Sequence, residues 1–321
     1  MPIMGRSEKS FSLEIDMKTV SIMMSTFNGE QFIDEQIESI MHQDNVITML
    51  IIRDDGSTDD TVKCVNRLMT KYRGRISLIC GNNIGYRRSF LELLSKAPDT
   101  DYYAFADQDD VWKNNKCIEA ITSLEKCDHN EWLYASGLLI ADENLNVISE
   151  NYLNNYKNSL ESYFIRGRLA GCTFLFTREL KDKAKLFSEL NLEDTCMPAH
   201  DFLVGSIAYA CGNVFIDHRG FVLHRRHERS VTSGGRGIAN RLETERKLLK
   251  KRKYVNSVVA RLLLDNFGEL ISADKASFLN TIVHYQDGSR SKLRLLLYPG
   301  FSSGSLLADL LTRIKIFINN Y

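Results

Sequence analysis

From Asp101 to Trp112 the chain reads Asp-Tyr-Tyr-Ala-Phe-Ala-Asp-Gln-Asp-Asp-Val-Trp. Tyr102 to Ala106 is an apolar, aromatic run of strand length, and it empties into Asp107, Asp109 and Asp110 without an intervening turn residue. Two carboxylates at i and i+2 just past a strand end can share one hard divalent cation, Mg2+ or Mn2+, whose remaining positions stay open for substrate phosphates. Such a seam is a diphosphate clamp. A lone Asp-x-Asp is more often a polar turn that caps the next helix, so the decision rests on what the rest of the chain places beside it.

Upstream, Thr19 to Ser25 is β-branched and apolar, as a parallel strand buried on both faces should be, and it ends in the turn group Thr26-Phe27-Asn28-Gly29. Phe32, Ile33, Ile37, Ile40 and Met41 then recur at the helical period. A second strand, Ile47 to Arg53, also stops on acid, at Asp54 and Asp55. Ser57 and Asp60 have capping-box spacing ahead of a helix carrying Val62, Val65, Leu68, Met69 and Tyr72. The cap does not account for Asp54 and Asp55, which stand where open parallel sheets bind ligands and could accept from a base imide or a ribose hydroxyl. Either residue alone is equally a solvated acidic turn.

A third strand, Arg75 to Cys80, leads into Gly81-Asn82-Asn83-Ile84-Gly85, with Arg87 and Arg88 opening the next helix. Arginines beside such a loop suit a diphosphate, and on a helix they suit a solvated face as well. The fourth strand is the opening stretch, with its helix from about Asn114 to Cys127. Four strand-helix alternations with short connections predict a right-handed parallel sheet with two acidic strand ends, Asp54-Asp55 and Asp107 to Asp110, on one crevice, which favours a metal role for Asp107 and Asp109 over a plain turn.

Further along, the pattern predicts a strand over Trp132–Asp142, a loop or irregular helix over Asn151–Asn158 and a buried strand over Gly171–Phe176. A helix opens at His200-Asp201, and short strands at Val214–Asp217 and Phe221–His224 lead into Arg225-Arg226-His227. Asp201 suits a helix first turn electrostatically, and a carboxylate there can also act as a general base. His200 and His227 are lone histidines, a pattern more often structural than ligating.

Past about Thr232 the character changes. Gly234-Gly235-Arg236-Gly237 reads as a joint, and Arg246, Lys247, Lys250, Lys251, Arg252 and Lys253 form a basic run on a helical segment. Leu295–Leu297 with Tyr298, Pro299 and Phe301, and the run Leu306–Ile318 with Arg313 and Lys315, read as amphipathic helices that either pack on the main domain or lie on an anionic membrane surface.

The 321 residues have room for one α/β domain of roughly 220 to 250 residues plus an appendage. Lys+Arg and Asp+Glu balance at 41 each, so no global field favours nucleic acid, and none is expected as a partner. Seven cysteines without a Cys-x-x-Cys pair point to free thiols in a reducing cytoplasm. Neither a signal peptide nor an apolar run of about 18 residues is found.

Taken in order, Thr26-Phe27-Asn28-Gly29, Asp54-Asp55-Gly56-Ser57-Thr58-Asp59, Asn83-Ile84-Gly85, Asp107 to Trp112 with Lys116, Gly171-Cys172-Thr173 and His200-Asp201 resemble glycosyltransferase family 2, the inverting GT-A-fold enzymes, and within it the bacterial rhamnosyltransferase-like branch. The similarity covers about Lys18 to Thr232. It implies a Rossmann-like, mostly parallel central sheet flanked by helices over 18–236, with an extension at 1–17 and a basic, helical C-terminal region at 237–321. It further implies a nucleotide-sugar donor site lined by Thr26, Asn28, Asp54, Asp55, Asn83, Arg88, Asp107 and Asp109. Asp54 or Asp55 would meet the base, Asp107 the ribose, and Asp109 with His227 the Mg2+ or Mn2+ on the diphosphate. Asp201 would be the base that deprotonates the acceptor hydroxyl.

The implied activity is transfer of a sugar, rhamnose from dTDP-rhamnose as the first choice and a UDP-hexose or UDP-HexNAc as the second. The acceptor would be a saccharide or lipid-linked saccharide in cell-surface polysaccharide synthesis, at the cytoplasmic side and with a peripheral membrane contact. The sequence departs from relatives at Phe202-Leu203 and at His224-Arg225-Arg226-His227. A sugar-1-phosphate nucleotidyltransferase would open with a Gly-rich, Arg-containing loop, whereas this chain has Ser25-Thr26-Phe27-Asn28-Gly29 there. A non-catalytic sugar-nucleotide-binding subunit would lack the carboxylates at 109 and 201.

Overall fold

The computed structural model describes residues 17–127, 131–151, 153, 156–167, 169–227 and 254–321. The expected N-terminal extension, the glycine joint and the basic run Arg246–Lys253 therefore lie outside the described residues, apart from Met17.

Four strands, β1 (Lys18–Thr26), β2 (Val46–Asp54), β3 (Ile76–Cys80) and β4 (Tyr102–Ala106), alternate with the helices α1 (Ile33–Met41), α2 (Thr61–Lys71) and α3 (Tyr86–Lys96). They pair in parallel in the order β3-β2-β1-β4. The chain reverses direction across the sheet between β1 and β4, so ligand space opens above their carboxyl ends, where Thr26 and Asp107 stand. The alternation of side chains along β1 explains its unbroken apolar run. Val20, Ile22 and Met24 enter one core cluster and Met23 the other, with helices covering both faces.

The second half closes the sheet in mixed fashion. After β5 (Val111–Trp112) and α4 (Lys116–Glu125) come β6 (Glu131–Ala141), β7 (Val147–Asn151), α5 (Leu160–Arg166), β8 (Leu175–Thr177), α6 (Arg178–Lys185), α7 (His200–Cys211) and β9 (Asn213–Arg225). The sheet continues from β4 through β8, β6 and β9 to β5, and β7 pairs antiparallel with β6. β8 runs antiparallel to β4 and β6, while β9 runs parallel to β6 and antiparallel to β5.

Several local expectations are revised. The capping box at Ser57 and Asp60 does not form: α2 has no side-chain cap, and the Ser57 hydroxyl accepts from Asn28 N instead. The two short strands near 214–224 are one strand, β9, whose pairing with β6 passes from Ser136–Asp217 directly to Gly137–Gly220. The extra residues His218 and Arg219 bulge out, with Arg219 N bonded to Asp217, which gave that stretch the look of a turn. Asn151, expected to open a loop or irregular helix, is the last residue of β7, and Gly171–Thr173 is a 3-10 turn rather than the start of a strand.

Beyond residue 254 come α8 (Val255–Phe267), α9 (Ala273–Val283), α10 (Ser289–Leu296) and α11 (Leu306–Phe317). They do not build a core of their own. Val259, Leu263, Phe278, Ile282 and Ile316 join the cluster that contains Phe105 and Leu203. Asn256 Nδ2 and Tyr321 OH both donate to Phe164 O, and Thr312 Oγ1 donates to Ile165 O, which fastens the tail to α5. Among the described residues no helix is long and apolar enough to cross a membrane.

Candidate active site

Three loops meet above β1. Asn28, in the left-handed region at φ 47°, donates its N–H to Ser57 Oγ (2.9 Å) and accepts from Thr58 N at its side-chain oxygen (2.8 Å). Asn is one of the few residues that take that conformation readily. Gln108, given no role by the sequence reading, accepts from Thr26 Oγ1 (2.6 Å) and Phe27 N (2.9 Å) and donates to Phe27 O. A Cβ at Gly29 would stand 2.4 Å from Gln108 Oε1, so only glycine permits this approach.

Asp54 and Asp55 are both buried, yet they differ. Asp55 accepts from Arg53 Nη1 (2.5 Å), Ile84 N and Gly85 N (both 2.8 Å), so both its oxygens hold the β2 end to the loop after β3. Arg53 also binds Glu92 (2.7 Å) on α3. Asp54 Oδ2 accepts from Gly56 N and Ser57 N, while its Oδ1 has no hydrogen-bond partner among the described residues. Asn83 is exposed on the same loop. Arg88, expected on the diphosphate, is placed otherwise: its Nη2 donates to Leu192 O (2.7 Å) and Asp194 Oδ1 (3.0 Å), and Arg87 reaches Asp194 O and Met197 O. The first turn of α3 faces the loop before α7, and the guanidinium groups tie the two together.

At the end of β4 the two-residue strand β5 pairs Val111 with Leu223 and Trp112 with Val222, which lays 224–227 alongside 107–110. His227 Nε2 lies 2.7 Å from Asp109 Oδ2, and His224 Nδ1 lies 3.0 Å from Asp110 Oδ1. Between them Arg225 donates to Asp109 O (3.0 Å), forms an ion pair with Glu35 (2.5 Å) and stacks over Phe32, which also packs on His227. Gln36 Nε2 holds Asp107 O (2.8 Å).

Electrostatics follow from this crowding. Burial, and then the charges of Asp110 and Asp109, push Asp107 up to about 7, and Asp201 adds to the effect from across the crevice. Burial pulls His224 down, but the hydrogen bond and charge of Asp110, with Asp107 and Asp109 behind it, outweigh that and raise it to about 9.

Asp201 stands in the first turn of α7, whose N-cap is Ala199, and its Oδ1 accepts from Phe202 N (2.7 Å). A Cβ at Gly171 would lie 2.9 Å from both Asp201 Cβ and His200 Nε2, so the 3-10 turn and α7 touch through a glycine. His200 is structural. It stacks on Phe90 (3.7 Å between centroids) and meets Phe105 edge-on, and burial lowers it to about 4.

A divalent cation fits this chemistry. Asp109 and His227 offer carboxylate oxygen and imidazole nitrogen, donors that suit Mn2+. Behind them, ligand atoms of Asp107, Asp110, Cys172 and His224 all lie within 4.8 Å of one another, and the Cys172 thiol is hydrogen-bonded to the buried Asp110 carboxylate. Asp110, Cys172 and His224 went unassigned in the sequence. The third carboxylate of Asp-Gln-Asp-Asp was the visible signal, but its partner is 114 residues away.

The family model described as "Glycosyl transferase family 2" matches residues 21–179. The dTDP-rhamnosyl transferase RfbG of Shigella flexneri is 29% identical over 255 residues, covering 74% of this chain and 83% of that protein. S. aureus TarS 1-349 in complex with UDP-GlcNAc superposes with a TM-score of 0.54 at 16% identity, over 93% of this chain and 79% of that one. The mannosyltransferase PcManGT from Pyrobaculum calidifontis, in complex with GDP-Man and Mn2+, gives 0.51 at 14% identity, over 93% and 86%. The sheet flanked by helices is thus GT-A-like, and the chain belongs to glycosyltransferase family 2 and is a glycosyltransferase.

Proposed function

We propose that the enzyme is a metal-dependent inverting transferase that moves rhamnose from dTDP-rhamnose to a saccharide or lipid-linked saccharide acceptor in cell-surface polysaccharide synthesis. The observation that carries the reading is the convergence of Asp107, Asp109, His227 and Asp201 on the crevice above β1 and β4. The named activity of the RfbG relative supports rhamnose as the sugar.

Asp109 and His227 would hold Mg2+ or Mn2+, which when bound supplies positive charge to the departing nucleoside diphosphate. Asp54, whose buried Oδ1 has no partner among the described residues, is better suited than Asp55 to accept from the base, because Asp55 spends both oxygens on Arg53 and the loop backbone. Thr26 and Gln108, joined by a hydrogen bond, would shape the floor beside it, and Asp107 would face the ribose.

Asp201 accepts the proton of the acceptor hydroxyl as its oxygen forms a bond to the anomeric carbon. The bond from that carbon to the diphosphate oxygen breaks on the opposite face, which inverts the configuration. No covalent sugar-enzyme bond is needed.

The test is a donor-hydrolysis screen with Mn2+ over dTDP-rhamnose, UDP-galactose, UDP-glucose and UDP-N-acetylglucosamine. Preferential hydrolysis of dTDP-rhamnose is expected, and preferential use of a UDP-sugar would overturn the choice of donor.

A further inference from the structure

The last helix turns several of its apolar side chains away from the protein. In α11 the side chains turned to the protein are Ala308, Thr312 and Ile316. Five other apolar residues point outward: Leu306 is 91% exposed and Phe317 75%, with Leu310, Ile314 and, just past the helix end, Ile318 also exposed. These positions follow i, i+4, i+8 and i+11, i+12, so they form one continuous stripe along the helix. Leu293 in α10 and Leu297 just past its end, at i and i+4, are exposed as well. Lys292 Nζ donates to Phe317 O (3.2 Å) and joins the two helices at that end. Single exposed leucines need no explanation, but a contiguous stripe along a helix marks an interaction surface.

The charge around the stripe selects its partner. From Ser289 to Tyr321 there are five basic residues, Arg290, Lys292, Arg294, Arg313 and Lys315, against one acid, Asp309. Asp309 is turned inward to Ser302 and Ser303. A two-fold contact with a second copy would set this excess of cations against itself, whereas an anionic lipid surface receives the apolar stripe and is attracted to its basic rim.

We infer that α10 and α11 form a membrane-docking face that seats the enzyme on anionic lipid, with Leu306, Leu310 and Phe317 entering the acyl boundary. The inference rests on no part of the transfer chemistry. It also differs from an attachment through the basic run at 246–253, because the face belongs to helices whose other side is locked into the catalytic core by Thr312 and Tyr321.

The experiment compares the full chain with Leu306→Ser/Leu310→Ser/Phe317→Ser and with Arg290→Glu/Arg294→Glu. Co-sedimentation uses phosphatidylcholine vesicles with and without phosphatidylglycerol, at low and high salt. Donor hydrolysis and sedimentation velocity are followed without lipid. The wild type is expected to bind anionic vesicles and to weaken with salt. The serine variant should lose roughly tenfold or more in binding, and the charge-reversed variant should lose the preference for anionic lipid. Hydrolysis should stay unchanged in both, because every altered side chain is exposed and none belongs to the donor or acceptor site. Three results would each overturn the proposal: no vesicle binding by the wild type, undiminished binding by the serine variant, or a wild-type dimer that the serine substitutions dissolve. The last would identify a second copy as the occupant. Loss of hydrolysis in every protein, wild type included, would count against the transferase reading while leaving the vesicle result to stand.

Discussion

His227 Nε2 lies 2.7 Å from Asp109 Oδ2, although 118 residues separate them in the chain, because β5 pairs with β9 and sets the end of that strand beside the acidic loop.

Asp109→Ala should abolish metal-dependent transfer, and His227→Ala should weaken it by roughly 10- to 100-fold while raising the Mn2+ concentration needed for half activity. Mn2+ titrations of donor hydrolysis with each variant read both effects. Full turnover by the purified wild type in EDTA would show that no divalent ion takes part.

Asp201→Asn should keep donor affinity and lose transfer by about 10²- to 10⁴-fold, since the amide preserves the bond from Phe202 N but cannot take a proton. Donor binding by calorimetry alongside single-turnover transfer separates the two. Near wild-type transfer by this variant would place the base elsewhere.

Gly171→Ala should press the 3-10 turn against the first turn of α7, because the new methyl would meet Asp201 Cβ at 2.9 Å. Displacing that carboxylate by an ångström is enough to cost on the order of 10²-fold in rate. The expected signature is a fall in kcat with little change in donor affinity, and an unchanged kcat would mean that the turn can yield without moving Asp201.

Asp55→Ala should act on stability ahead of chemistry. It leaves the Arg53 guanidinium buried beside a vacated partner and strips two loop N–H groups of their acceptor. Breaking a buried pair in this way costs about 3 to 5 kcal/mol, and urea unfolding at neutral pH measures it. A loss below about 1 kcal/mol would mean that Glu92 alone satisfies Arg53.

His200 should make the fold acid-sensitive. Burial lowers it from 6.5 to about 4, so between those values the unfolded chain binds the extra proton and the folded chain does not. Its contribution is therefore fully present above about 6.5 and is lost as pH falls towards 4, at on the order of 1.4 kcal/mol per pH unit. His200→Phe keeps the stacking on Phe90 and should flatten the slope of stability between those pH values. An unaltered slope would assign the acid sensitivity to other groups.

What was readable in advance depended on local pattern. The four parallel strands, their helices and the acidic strand ends at Asp54, Asp55, Asp107 and Asp109 could be located because period-2 and period-3.6 burial and turn chemistry operate within a few residues. The role of His224, the binding of Asp55 by Arg53 and the commitment of Arg88 to the 192–194 loop could not, since each depends on a partner brought in by packing. β5 is two residues long and exists only because β9 lies beside it. The same division runs through the tail. Its amphipathic helices were visible as apolar and basic residues at helical spacing, but the sequence by itself determines only that α11 has an apolar stripe. Which side of the helix meets the core was decided by tertiary packing, where small Ala308 and Thr312 allow close approach to α5 and leave Leu306, Leu310 and Phe317 facing out.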